Sequence, residues 1–189
     1  MVAGLVIGLI IAAIILIIAF IFIYYYNKFT TLDNRINNSL SQIDVQLKKR
    51  ADLIPALIKV VSGYAKHEKK ILIEVTAARA SLLKGSDISK RVKAGDALEG
   101  ALGRLFAVAE NYPQLKANEN FLHLQTELSA IEDKVAYSRQ YYNDSIMDYE
   151  NSTEQFPGVF FFNLYKFQKK EYLKIPESNK EMPSINFEE

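Results

Sequence analysis

The sequence predicts an all-α membrane protein: one N-terminal transmembrane helix, then an up-and-down antiparallel helical bundle of three long helices with room for a short fourth. Three observations carry this. Val2 to Tyr26 holds no charged residue. Beyond it, apolar residues recur at alternating three- and four-residue steps, the period of one helix face. No alternating apolar–polar run of useful length suggests a strand. The expected divisions are an anchor over 1–26, a bundle over 27–158, and an aromatic segment with a polar tail over 159–189.

A hydrocarbon core of about 30 Å needs roughly 20 apolar residues at a rise of about 1.5 Å, so Val2 to Tyr26 spans with some tilt to spare. A cleaved secretory signal fits worse. No basic residue precedes the run, the run is too long for a signal's apolar core, and no small-residue cleavage site follows it. Tyr24, Tyr25 and Tyr26 close the run as an interfacial aromatic belt would. Lys28 and Arg35 follow it, so the positive-inside rule places the N-terminus outside and the C-terminal domain in the cytoplasm of a single-pass cell-membrane protein. Gly4, Gly8 and Ala12 share one face of the span, and small residues there let two helices approach closely. The plainer reading is that Gly and Ala are common in membrane helices anyway.

After the anchor, Leu40, Ile43, Leu47, Ile54, Leu57, Val61, Tyr64, Ile71, Val75, Ala78 and Leu82 form one seam, with Arg50 and Glu68 its only charges. That predicts a long amphipathic helix of coiled-coil type, ended by Gly85 and Ser86. Pro55 inside it lacks a donor and clashes with the Ala51 carbonyl, so a kink or break is expected there. A second helix starts at the N-cap candidate Asp87 and runs to Asn111-Tyr112-Pro113. A third begins around Asn118 to Asn120 and ends before Phe156-Pro157-Gly158. The remainder is aromatic at first, then polar with Pro176 and Pro183, and reads as a short helix at most with an extended or disordered tail.

The helix lengths do not match. The first, if continuous, reaches about 85 Å, the second roughly 37 Å and the third about 55 Å. The membrane-proximal stretch from Phe29 to Leu47 therefore lacks a full partner in its own chain. Its residues Phe29, Ile36, Leu40, Ile43 and Leu47 are expected to face another subunit, another protein or the aromatic C-terminal segment. Span and stalk would then act as one rod that holds subunits side by side.

Composition excludes several classes. A net charge of +1 offers no basic face for nucleic acid. The absence of cysteine removes disulfides, Cys-based zinc sites and thiol catalysis. His67-Glu68 lacks the second histidine four residues after the first that a zinc protease helix needs, since Ile71 stands there. Lys48-Lys49-Arg50 reads as a solvated face with Arg50 packed or paired, rather than a lipid-binding patch. Glu68 would pair with Arg50 or Arg79. No cofactor is implied. Val159-Phe160-Phe161-Phe162 is too short to span and reads as a fourth bundle element, a docking surface for a partner, or a membrane-surface contact.

The stretch Ser41-Gln42-Ile43-Asp44-Val45-Gln46-Leu47-Lys48-Lys49-Arg50-Ala51-Asp52-Leu53-Ile54-Pro55 resembles the signature of the LemA family. Gly63-Tyr64-Ala65, His67-Glu68, Ala78-Arg79-Ala80, the block Glu110 to Asn118, Arg139, Tyr141 to Asp144 and Phe156-Pro157 continue the resemblance over nearly the whole chain after the anchor. Asp133 and Tyr149-Glu150 depart from it where Asn and a Tyr-Asn pair are expected. The resemblance implies a bacterial membrane protein with one N-terminal span and a helical bundle, without catalytic residues and with no established molecular role. Asp44, Arg50, Asp52, Glu68, Arg79, Glu110, Arg139 and Asp144 lie in or near these blocks, and read as interhelical ion pairs that fix which helices meet, or as a polar network for a partner. The functional expectation is a non-catalytic membrane-anchored scaffold or adaptor that self-associates, contacts the bilayer and binds other membrane proteins. A membrane-organising, lipid-remodelling oligomer is the alternative, with a hydrolase or cofactor-binding bundle third.

Overall fold

The computed structural model describes residues 2–173. The tail with Pro176 and Pro183 lies outside the described residues. Among these there are six helices and no strand: α1 (Val2–Tyr64), α2 (Lys69–Lys84), α3 (Ile88–Ala109), α4 (Pro113–Lys116), α5 (Glu119–Glu154) and α6 (Gly158–Tyr165). The all-α expectation holds. The chain divides into two compact units, one of residues 2–39 and 141–172 and the other of 40–140. α1 and α5 each contribute to both.

In the unit of residues 40–140, the second part of α1, α2, α3 and the first part of α5 make an up-down-up-down four-helix bundle. Ile43, Leu47, Ile54, Leu57 and Val61 of α1 are buried, as are Val75 and Leu82 of α2, Leu98 and Leu105 of α3, and Leu128 and Val135 of α5. α1 and α3 approach closely where Gly95 faces Leu47; a Cβ on Gly95 would lie 2.7 Å from a Leu47 methyl. The predicted cap Asp87 is in place, and Asn118 caps a helix in the same way. Asp87 accepts from the Lys90 amide at 2.9 Å to start α3, and Asn118 accepts from the Phe121 amide at 3.0 Å to start α5.

Two expectations about the first long helix are corrected. It does not run to Leu82, because residues 65–68 turn the chain and α2 returns along α1. The seam steps seven residues from Tyr64 to Ile71, so its period carries through the turn and hides it. The bundle is therefore four-helical here rather than three-helical. Nor does Pro55 break α1, which continues to Tyr64. Pro55 sits on the exposed face, and the buried Ala51 carbonyl it leaves without an amide donor accepts from Arg79 Nε at 2.7 Å.

In the unit of residues 2–39 and 141–172, the first part of α1 packs with the end of α5, with α6 and with the irregular segment 166–172. Phe29, Leu32 and Ile36 bury with Tyr142, Ile146, Tyr149 and Phe161. Tyr142 and Tyr149, two turns apart on α5, donate to the carbonyls of Glu171 and Gln168, each at 2.9 Å, and strap the irregular segment down. α6 begins at Gly158, where a Cβ would collide with the Ser152 carbonyl, so only glycine allows this approach. It ends at Lys166 in the left-handed region, φ 56°.

Candidate functional site

The stalk expectation is the first to be settled by packing. Phe29 and Ile36 are buried within their unit, and Ile43 and Leu47 within theirs, while Leu40 is half-buried. Phe29 meets the rings of Phe167, Phe162 and Tyr25 at 5.4, 6.5 and 5.9 Å between centroids. Phe29, Ile36, Ile43 and Leu47 are therefore core residues within the chain, and Leu40 is not. Of the three partners open to that seam, the aromatic C-terminal segment is the one that fits Phe29.

The polar residues of the motif blocks sort by burial. Arg50, 2% exposed, is ion-paired with Glu132 of α5, and its Nη1 lies 3.5 Å from the Gly95 carbonyl of α3. Burial pushes the Arg50 guanidinium below its usual range, against the raising pull of Glu99. Arg139 of α5 pairs with Asp96 of α3 at 2.5 Å, and Asp44 of α1 pairs with Arg91 of α3. Glu68 takes neither Arg50 nor Arg79; it accepts from the Tyr112 hydroxyl at 2.9 Å. Asp52 and Asp144 stand apart on exposed faces, Asp52 beside Lys48 at 3.5 Å. Glu110 pairs with Lys116 at the surface. Among the described residues, the buried Arg50 and the partly buried pairs Arg139–Asp96 and Asp44–Arg91 each tie one helix to another, as registry devices do.

Sequence reasoning missed Glu132, Asp96 and Arg91. The signal available was a carboxylate or guanidinium flanking a seam position, as Glu132 flanks Ile131, but flanking charges are ordinary on solvated faces. Between α3 and α5, Arg50, Glu99, Glu132, Leu102, Phe106 and Leu128 line an open cleft of about 280 Å³. Its one guanidinium, Arg50, faces two carboxylates, Glu99 and Glu132, and Gln125 and Ser129 complete the polar lining. Among the described residues, no three His, Asp or Glu side chains gather as metal ligands.

At the other unit, the aromatic residues assemble around the end of the apolar run. Phe161 of α6, 4% exposed, stacks on Tyr25 at 4.7 Å and meets Phe22 edge-on at 5.0 Å. Tyr165 donates to the Phe22 carbonyl at 2.8 Å. Phe162 is half-buried against Phe29 and Tyr149, whereas Phe160 is 55% exposed. Residues 2–21, including Gly4, Gly8 and Ala12, are exposed, and nothing lies within 4 Å of a Cβ built on Gly4 or Gly8. By length and composition α1 holds a stretch apolar enough to cross a membrane, and that stretch is wholly exposed.

Comparison with known proteins agrees with the resemblance seen in the sequence. Magnetosome protein MamQ of Magnetospirillum gryphiswaldense is 27% identical over 173 residues, covering 78% of this chain and 64% of that one. Magnetosome protein MamQ 2 of Paramagnetospirillum magneticum is 26% identical over 175 residues, covering 79% and 64%. Protein LemA of Metamycoplasma hominis is 31% identical over 129 residues, covering 65% and 57%. The chain spans a little under two thirds of the length of these relatives. The LemA family profile matches residues 39–187, well over half the chain, and the protein belongs to the LemA family.

Proposed function

We propose that this protein is a non-catalytic, single-pass scaffold of the cell membrane that self-associates through its span and offers its bundle to other membrane proteins. The observation that supports this is the contrast along α1. Its first part leaves residues 2–21 exposed, with the small Gly4, Gly8 and Ala12 on one face, while its second part is a core seam whose buried charge already has a partner. A bundle whose motif charges are occupied in holding helices together serves as a rigid body for contacts, and the open cleft floored by Arg50 is the place on it for a partner's side chains. Lys28 and Arg35 favour a cytoplasmic bundle with the N-terminus outside.

Because the chain has no cysteine, single-cysteine variants read the span directly. Oxidative crosslinking in native membranes is expected to yield dimers from Gly4→Cys, Gly8→Cys and Ala12→Cys and little from Val6→Cys or Ile10→Cys on the opposite face. Equal yields on both faces, or none, would sink self-association through this surface. A second reading, a membrane-organising oligomer, draws support from the aromatic helix at the end of the span, and reshaping of liposomes by the purified protein is its test.

A further inference from the structure

We propose that α6 is a second membrane element, a short interfacial helix whose outer face lies among phospholipid headgroups and the first acyl carbons. The inference rests on the reading of Val2–Tyr26 as a bilayer span, and it concerns a surface that the scaffold reading leaves unused.

The argument is one of depth. Tyr24, Tyr25 and Tyr26 end the apolar run, and rings of this kind settle at headgroup level. Phe22 lies one turn, about 6 Å, deeper into the bilayer than Tyr26. α6 is fixed at that depth by three contacts: the Tyr165 hydroxyl on the Phe22 carbonyl at 2.8 Å, Phe161 stacked on Tyr25 at 4.7 Å, and Phe161 edge-on to Phe22 at 5.0 Å. A helix bonded to the backbone of the span one turn below its tyrosine belt cannot stand in bulk water while the span is inserted. Whatever α6 turns outward at that level meets lipid.

What it turns outward suits that setting. Gly158–Tyr165 carries no charge. Its inner face is Phe161, Phe162 and Tyr165, and its outer face is Val159, Phe160 and Leu164, at 40%, 55% and 49% exposure, with Asn163 exposed among them. Phe156, just before the helix, is 87% exposed. In water such a cluster would be a standing apolar patch on a monomer. At the interface, apolar faces of short helices bury about 5–10 Å deep and contribute binding free energy in proportion to their area. Eight residues reach only about 12 Å, so α6 lies in the boundary and does not cross it. Lys166, exposed at the left-handed end of the helix, marks where the chain leaves the apolar layer, with its ammonium at phosphate level.

The chain has no tryptophan, so a single introduced one reports alone. Phe160→Trp, Leu164→Trp and Ile15→Trp are compared in phosphatidylcholine–phosphatidylglycerol vesicles whose acyl chains carry bromine near the headgroup or near the terminus. The expected result is blue-shifted emission from positions 160 and 164, quenched by shallow bromine and shielded from aqueous iodide. Ile15→Trp, in mid-span, is quenched by deep bromine. Red-shifted emission at 160 and 164 with full iodide access, while Ile15→Trp still reports deep bromine, would overturn the proposal and leave the span intact. Blue-shifted emission untouched by either bromine would overturn it in favour of a second protein copy covering α6. Loss of deep quenching at position 15 would remove the span itself, and the proposal with it.

Discussion

Pro55 offers the most direct measurement of how this bundle is held. In an unbroken helix the Ala51 carbonyl accepts from the amide of residue 55, and proline has none to give. Ala51 is fully buried, so water is no substitute; Arg79 Nε serves instead, at 2.7 Å from α2. A hydrogen bond from a charged donor contributes about 1.5–3 kcal/mol, and the half-exposed position of Arg79 argues for the lower end. Arg79→Met, which keeps the apolar stem, should therefore cost about 1.5–2 kcal/mol. For a bundle of roughly 100 residues that is a fall in Tm of about 6–16 °C. In a Pro55→Ala background, residue 55 again supplies an amide, and the same Arg79→Met change should cost only the small loss of packing. A double-mutant cycle read by far-UV circular dichroism in mild detergent, with urea and thermal unfolding, should show a coupling of about 1–1.5 kcal/mol. Pro55→Ala alone should stabilise by up to about 3 kcal/mol, since the helix interior loses a proline. An equal cost of Arg79→Met in both backgrounds would refute the idea that Arg79 replaces the missing donor.

The other predictions concern buried polar groups. Arg50→Ala breaks the pair with Glu132, whose carboxylate is 29% exposed, and should destabilise by about 3 kcal/mol, the low end for breaking a buried pair, whereas Arg50→Met combined with Glu132→Leu should recover most of that, both read as midpoints of urea unfolding. Tyr149 is pushed up to about 12 by burial, with the Asp33 carboxylate adding to the shift. Its folded value lies above its unfolded value near 10, so its contribution is fully present below pH 10 and is lost as pH rises through 12. Tyr149→Phe should flatten the fall in Tm between those limits relative to the parent chain, and an unchanged fall would place the titrating group elsewhere.

Much of the fold is legible in local chemistry because it is set locally. Asp87 and Asn118 begin helices by side-chain bonds to amides three residues on, and Phe156-Pro157-Gly158 follows the end of α5 within a few residues. The turn at residues 65–68 is not legible. Its flanking seam positions are a heptad apart, and among glycines only Gly63 lies nearby, inside α1. The site shows the same limit. Arg50 declares itself as a charge in an apolar seam, but nothing in the sequence favours Glu132 over Glu68 as its partner; that choice is made by which helices become neighbours, after α2 has turned back. The partners of Phe29 depend on an irregular segment strapped down by two tyrosine hydroxyls, a return of the chain that no periodicity encodes.

The two parts of the α1 seam are sealed by different chemistry, and the difference bears on where each unit works. In the bundle, the fully buried polar side chain is a guanidinium matched by carboxylates from other helices. In the membrane-proximal unit, the buried polar side chains are hydroxyls: Tyr142 and Tyr149 bond backbone carbonyls, and Ser39 and Ser145 bond carbonyls of their own helices. Its ion pairs, Arg35 with Asp148 at 3.0 Å, Lys170 with Asp33 at 2.5 Å and Lys169 with Glu154 at 3.6 Å, keep their side chains from about a quarter to four-fifths exposed. Desolvating an ion pair costs several kcal/mol per charge, and the cost rises where the surroundings are lipid instead of water. A tyrosine seals the same gap with a ring that packs and a hydroxyl that needs one acceptor, and it tolerates the polarity gradient of a headgroup layer. The membrane-proximal seam is therefore built from residues that remain satisfied on either side of that gradient, which is the requirement α6 meets when it holds Phe161 and Tyr165 against the end of the span.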